Sequence, residues 1–493
     1  MEYKDATIEE VDQAMRESQV AFLSYKNLSG KKKAEFLRAV ADEIEALGSS
    51  LIEMAMSETN LPEARVAGER ARTTGHCRMF ADLVEEGSWV DARVDHAQPE
   101  RTPAPRPDLR KMLVPIGPVV VFGAANFPLA YSTAGGDTAS ALAAGCPVIV
   151  KAHPAHAGTS TMVAEAIKKA ITKTGMPQGV FQHLHGKNFA VGQALVMHTI
   201  TKAVGFTGSL VGGKALFDLA NKRPVPIPVF AEMSSINPVY LLPESLGATF
   251  EKTASMLAAS ITQSVGQFCT NPGLIIAIDN EALKKFIAKL SEEISKIPAG
   301  KMLHPGIADN FHRRLKESLQ QKGVTIETQS TDEGSNLYGR PTIASVPAQE
   351  FIKNPLLAEE VFGPFSLIVK CRDLTELTSV ASRMHGQLTS SLIGSEDEIQ
   401  NHSSLLNVIV EKAGRLIVNG VPTGVEVVPS QNHGGPFPST TDSRFTAVGT
   451  DAIKRFVRPV AFQNFPNALL PAELKEENPL KIWRMKNGTL QKA

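Results

Sequence analysis

Cysteine is scarce in this chain: four residues among 493, at Cys77, Cys146, Cys269 and Cys371. They are widely separated and form neither a CxxC pair nor a disulfide-framework spacing, so free thiols in a reducing compartment are expected, and no metal site. An excess of one charge is also lacking, since Lys+Arg and Asp+Glu number 51 each. No nucleic-acid or other polyanion partner is implied. No apolar run reaches the roughly 18 residues needed to cross a bilayer, which excludes a membrane span of that kind. The opening MEYKDATIEEVDQAM is charged and helix-like, without the apolar region of a signal peptide, and a cytoplasmic location is expected. What remains is the composition of a globular protein, 43% hydrophobic and 21% charged. Its length exceeds the roughly 250 to 300 residues that one core sustains, so two domains are expected.

The texture changes along the chain. Apolar positions recur at helical spacing through Val11, Met15 and Val20, through Phe36, Leu37 and Val40, and through Ile44 and Leu47, so the first ninety or so residues read as helices. From about 88 to 116 the chain alternates, carries five of its 31 prolines and has little apolar content, as a hairpin arm leaning on another surface would. From Gly117 the rhythm is that of α/β structure: PVVVFG, a helix over 129–144, CPVIVK, a helix over 159–174, VFQHLH, a helix through Ala194, and AVGFTG. Continuously apolar strands separated by helices predict a parallel sheet covered on both faces. After Asn237 the rhythm repeats with LIIAI, FSLIVKC, SSLIG and RLIVN, which predicts a second α/β domain. The tail beyond Ile453 holds a strand-like run and then Phe462, Phe465, Leu469, Leu470 and Trp483, which need a surface to cover them. A neighbouring subunit is one candidate.

Two features suggest a nucleotide. FTGSLVGG, 206 to 213, follows a strand and opens a helix, with Gly208, Ser209 and Gly213 at the turn; glycine admits close backbone approach and the helix N-terminus favours a phosphate. It lacks the GxGxxG pattern of an ordinary dinucleotide fold. Lys151 ends a predicted parallel strand at VIVKAHP, where ligands of open α/β sheets bind.

Four short strings complete the pattern: ANFPLAYS (125–132), FAEMSSINP (230–238), GQFCTNPG (266–273) and EEVFGPF (359–365). In this order and at these distances they resemble the aldehyde dehydrogenase superfamily, over about residues 5 to 460. Within it, AHPAHAGTS, SQNHGGPFPSTTDSRFTAVG and the tail NFPNALLPAELKEENPLKIWR are similar to the branch that acts on α-ketoglutaric semialdehyde (2,5-dioxovalerate). The resemblance implies a two-domain α/β fold with open, twisted, mainly parallel sheets and a small β oligomerisation arm. The domains would be a cofactor-binding one from 1–88, 112–232 and 430–451, a catalytic one from 233–429, and an arm and tail from 89–111 and 452–493. A homodimer or homotetramer would follow.

The chemistry accounts for these residue types. Oxidising an aldehyde by hydride transfer requires a tetrahedral adduct, and a thiolate forms one readily. Cys269 is the candidate nucleophile. The resemblance makes the Asn126 amide, with the Cys269 backbone N–H, the donor set for the developing oxyanion. It makes Glu232 the general base for thioester hydrolysis, with its pKa raised by a partly dry tunnel. Glu360 would hold the nicotinamide-side ribose, with Phe362 against the ring. Many NAD-dependent members carry a glutamate three residues after the strand-end lysine, where this chain has Pro154. No carboxylate there repels a 2′-phosphate, and Lys151 and His153 would attract one, so NADP is expected, alongside NAD.

Phe127, beside Asn126, and a helix carrying Arg65, Gly68 and Arg72 on one face would line the substrate tunnel. Arg72 and Arg444 are candidate anchors for a distal carboxylate. The expectation is oxidation of a small carboxylated aldehyde, α-ketoglutaric semialdehyde foremost. Alternatives are an enzyme for uncharged or long-chain aldehydes, whose tunnel would be apolar, a CoA-acylating relative, and a non-catalytic protein on the same fold.

Overall fold

The computed structural model describes residues 3–492. Four helices come first, Ile8–Tyr25, Gly30–Glu45, Gly48–Thr59 and Glu63–Glu86. The start and stop signals are local: Thr7 and Glu10 form a capping box that opens the first helix, and Asn60 and Gly87 end the third and fourth at positive φ. The apolar stripe of Phe36, Leu37, Val40 and Ile44 packs with Phe80 and Val84 onto the first core.

That core covers a five-stranded parallel sheet. Its order places Phe181–Leu184, Val148–Lys151, Val119–Phe122, Ala203–Thr207 and Val229–Glu232 side by side. A seven-stranded sheet forms the second domain, in the order Thr325–Gln329, Thr342–Pro347, Phe365–Cys371, Leu274–Ile278, Val239–Leu241, Gln387–Ile393 and Ala413–Val418. Only the first of these strands is antiparallel to its neighbour. The near-continuous apolar runs follow from burial on both faces. Leu274 and Ile276 face one core while Ile275 and Ala277 face the other, as period-two alternation dictates. Each fully buried Ile or Leu contributes about 1.5–3 kcal/mol.

A third, five-stranded sheet joins Val457–Gln463, Leu109–Pro115, Arg93–Asp95, Arg484–Lys486 and Thr489–Gln491. It takes in the whole strand Leu109–Pro115, so the arm extends beyond residue 111. The segment Thr450–Phe456 instead buries Ala452, Ile453 and Phe456 in the first core, so the returning arm begins at Val457. Leu470 is buried, whereas Phe465, Leu469 and Trp483 stay exposed in the single chain. Among the described residues no helix is long and apolar enough to cross a membrane.

One predicted helix is shorter than expected. It spans Gly136–Ala144, and residues 128–135 are turns and bends. Buried Glu69 is the reason: its carboxylate accepts the N–H groups of Leu129 and Ala130 at 2.8 and 2.9 Å, satisfying donors a helix would have used internally. At Gly135 a Cβ would meet the Ala130 carbonyl oxygen at 2.4 Å, so the chain folds back too closely there for any side chain.

Candidate active site

Cys269 lies on a loop between the helix Pro243–Thr262 and the strand Leu274–Ile278. The approach is contorted: Ser264, Val265 and Gly266 all have positive φ, at 47°, 57° and 65°, a conformation a β-branched valine rarely adopts. A Cβ on Gly266 would sit 2.3 Å from the Gly363 carbonyl, so this glycine lets the loop press on the turn of the EEVFGPF string. Below the loop, Asn237 donates from its amide to the Cys269 and Asn271 carbonyls, both at 2.9 Å. Asn237 is itself held by Gln387, whose carbonyl oxygen accepts the Ile236 and Asn237 N–H groups. Cys269 is thus fixed through its backbone, and it lines a cavity.

Glu232 ends the edge strand Val229–Glu232 of the first sheet, and its side chain is buried. The stretch 439–441 pairs with this edge: Met233 N–H donates to the Ser439 carbonyl and Thr441 N–H to that of Ala231. This pairing carries His433 to Glu232. His433 Nε2 stands 3.0 Å from Glu232 Oε2 and 3.6 Å from Cys269 Sγ. Hydrogen-bond alignment is with the sulfur; both Glu232 oxygens are buried without an aligned donor. The two glycines after the histidine have a steric purpose: at Gly435 a Cβ would lie 2.1 Å from the Gln387 carbonyl oxygen, and at Gly434 2.6 Å from that of Phe445.

His433 was not among the candidates from sequence. The HGG in SQNHGGPFPS is the signal that could have found it, a histidine on a segment that must thread between packed backbones.

Electrostatics differ from expectation at Glu232. Burial pushes its carboxyl up, but the neighbouring His433 ring and Cys269 thiol outweigh that, and the net direction is down, not up. Burial, and then the Glu232 carboxylate, push the Cys269 thiol well above its usual range. At neutral pH the resting pair is a thiol beside a carboxylate, a proton donor beside an acceptor.

Asn126 donates from its amide to the Gln267 carbonyl at 3.1 Å, two residues before Cys269. Its turn is the one fastened by Glu69. The cavity at Cys269 measures about 270 Å³ and is walled by Phe127, Tyr131, Phe268 and Val425. Arg65, Gly68 and Arg72 also line it, as their shared helical face predicts. Arg65 is neutralised by Glu69 at 2.8 Å and lies over the Phe127 ring. Arg72 is different. It donates only to the Tyr131 hydroxyl at 3.3 Å, its Nε is buried without a partner, and among the described residues no carboxylate lies within ion-pair distance of it. Arg444 lies outside the cavity: its side chain is 80% exposed and pairs with Asp442 at 2.5 Å. As a substrate anchor it is therefore corrected to a surface ion pair, formed because Asp442 is two residues away.

Across the Cys269 loop, Glu360 and Phe362 line a small cavity with Ser235 and Phe268. Burial pushes the Glu360 carboxyl up to about 7, against hydrogen bonds from Ser234 and the Ser235 backbone. Its neighbour Glu359 is exposed and paired with Arg314. At the turn of FTGSLVGG the Ser209 hydroxyl caps the helix Leu210–Asn221 by accepting from the Gly212 N–H. A Cβ on Gly208 would meet the Phe206 ring at 2.7 Å, and one on Gly213 the Met233 side chain at 2.6 Å. Lys151 ends its strand half-buried. His153 does not supply the charge expected of it. Burial, with His156 and Lys151 nearby, holds its ring well below the usual histidine range, and its Nδ1 accepts the Ala155 N–H.

Two α/β domains thus hold the Cys269 thiol, the Glu232 carboxylate and the His433 ring, drawn together from separate segments. The aldehyde dehydrogenase family model matches residues 1–459, and the chain belongs to that family. It is 52% identical over 485 residues to α-ketoglutaric semialdehyde dehydrogenase 2 of Azospirillum brasilense, covering 97% of this chain and 91% of the relative. It is 46% identical over 489 residues to α-ketoglutaric semialdehyde dehydrogenase of Acinetobacter baylyi, covering 99% and 93%. Among solved structures, betaine aldehyde dehydrogenase of Staphylococcus aureus superposes with a TM-score of 0.79 at 19% identity, covering 94% of this chain and 90% of that one. The 1-pyrroline-5-carboxylate dehydrogenase of Thermus does so with 0.77 at 20%, covering 93% and 86%. At these identities the likeness concerns the fold.

Proposed function

We propose that this chain oxidises α-ketoglutaric semialdehyde to α-ketoglutarate with a nicotinamide nucleotide, accepting NADP and also NAD. The observation that carries it is the unpaired Arg72 guanidinium in a cavity that ends at Cys269. A volume of about 270 Å³ lies at the small end of ligand sites, suited to a short chain, and the free cation suits its distal carboxylate. The two relatives of 52% and 46% identity carry the name of this substrate.

The reaction divides among the residues described. The Cys269 thiol gives its proton to the paired His433 and Glu232, and the thiolate attacks the aldehyde carbon. The Asn126 amide and the Cys269 N–H stabilise the oxyanion, at about 3 kcal/mol per donor. The nicotinamide group, when bound, supplies the hydride acceptor that leaves an acyl thioester on Cys269. Glu232, buried and ionised, then takes a proton from water as the water attacks the thioester, and the carboxylic acid departs as the thiol is restored.

The chain fits that nucleotide. Gly208 and Gly213 let the Phe206 ring and the Met233 side chain pack directly on the turn, and the helix after Ser209 offers its N-terminus to a phosphate. Lys151 is the cation at the strand end and Pro154 stands where a carboxylate would oppose a 2′-phosphate. Glu360, which lines a small cavity across the Cys269 loop, would accept from the ribose hydroxyls. Apolar side chains left open on the arm, Leu469, Trp483 and Leu490 among them, favour a homodimer or homotetramer, which sedimentation measures.

A steady-state panel of α-ketoglutaric semialdehyde and hexanal with NADP and NAD, repeated with Arg72→Ala, tests the assignment. The substitution should raise KM for the semialdehyde by roughly 10- to 100-fold, the loss of one charge-assisted contact, and leave hexanal nearly unaffected. A wild-type preference for hexanal would overturn it.

A further inference from the structure

Cys269, which lines the cavity, and its neighbours His433 and Glu232 are also metal donors. Cys269 Sγ, His433 Nε2 and a Glu232 carboxylate oxygen all lie within 4.8 Å of one another. Two of the edges are 3.6 Å, sulfur to nitrogen, and 3.0 Å, nitrogen to oxygen. A tetrahedral zinc site with bonds of about 2.3 Å to sulfur and about 2.0–2.2 Å to nitrogen and oxygen has edges of roughly 3.3–3.6 Å, so small side-chain movements suffice. A second observation points to a ligand: both Glu232 oxygens are buried with no aligned hydrogen-bond donor, and Oε2 lies 3.0 Å from His433 Nε2 within this cluster. The fourth coordination position would open onto the cavity that Cys269 lines.

We propose that Cys269, His433 and Glu232 form an inhibitory binding site for a divalent cation of the zinc class. The sequence spacing showed none of this, because the donors come from a strand end, a loop of the second domain and a returning segment near the C-terminus. Binding replaces the thiol proton: the sulfur lone pair goes to the metal, one proton is released to solvent, and no electron is transferred. The metal occupies the nucleophile, its proton acceptor and the hydrolytic base together, so the bound enzyme is inactive and aldehyde and metal exclude each other. A chelator reverses the state. The inference rests on these three side chains and not on which aldehyde the enzyme takes, so it survives or fails independently of the substrate assignment.

Zinc titrated calorimetrically into the chelator-treated, dialysed full chain should show one site per chain with release of a proton. Cobalt(II) should give a thiolate-to-metal charge-transfer band with the intensity of a tetrahedral site. Cys269→Ser should abolish the band, and Glu232→Gln and His433→Asn should each weaken zinc binding by roughly tenfold or more. His312→Asn, at a half-buried ring whose Nε2 meets the Asn336 carbonyl and which is not among the three donors, should bind like the wild type. Absence of a stoichiometric site in the wild type, or equal zinc binding by all the active-site variants, would overturn the proposal. The cobalt spectrum of the wild type decides the matter even if a variant fails to fold.

Discussion

His433 Nε2 lies 3.0 Å from Glu232 Oε2, and both side chains are almost fully buried. Two ionisable groups removed from water at this distance are costly unless each satisfies the other or a third group. Here the third group is the Cys269 thiol, 3.6 Å from the same nitrogen. The arrangement gives the thiol two routes for its proton where one carboxylate alone would offer a single one.

The two proton acceptors should separate in time. In Glu232→Gln the first turnover still produces reduced cofactor as a burst, while steady turnover falls by about 10²- to 10⁴-fold, the usual contribution of a general base. In His433→Asn the burst itself should slow. Stopped-flow absorbance of the reduced cofactor distinguishes them, and loss of the burst in both variants would defeat the division of labour.

The pH dependence of Cys269 alkylation follows from the charges around it. Burial and the Glu232 carboxylate both raise the thiol's pKa. A negative neighbour disfavours the thiolate, so removing it in Glu232→Gln should move the alkylation profile to lower pH and speed alkylation at any fixed pH below the wild-type midpoint. Well below that midpoint, a profile displaced by about one pH unit means about tenfold more thiolate and correspondingly faster alkylation. An unchanged profile would show that the carboxylate does not act on the sulfur.

Asn126→Ala removes one oxyanion donor. A fall in kcat of roughly 10²- to 10³-fold is expected, with little change in the dissociation constant of the cofactor. Rapid-quench and binding measurements together make the check.

The segment 450–456 is tied to the first domain by Arg455 and Asp137, 2.7 Å apart, with side chains 4% and 10% exposed. Arg455→Met leaves Asp137 buried and unpaired, which costs about 3–5 kcal/mol. Denaturant midpoints should fall accordingly, and adding Asp137→Asn should recover part of the loss.

Both sheets were legible in the sequence because strands buried on two faces are written locally as unbroken apolar runs such as VVVF and LIIAI. The strings around Asn126, Glu232 and Cys269 were legible through their joint resemblance to the aldehyde dehydrogenase superfamily, which the family match supports. The helix expected over 129–144 was not, because its first two turns are displaced by a carboxylate sixty residues earlier in the chain, Glu69. Arg72 and Arg444 looked alike as candidate anchors until packing placed one in the cavity and gave the other a neighbouring aspartate.

The sequence by itself determined the class of fold and the family, through locally written strands and through four short strings whose order and spacing are read along the chain. Only the tertiary structure decided that His433 stands between Cys269 and Glu232, because the 164 residues separating it from the cysteine carry no record of distance in space until the sheets have packed.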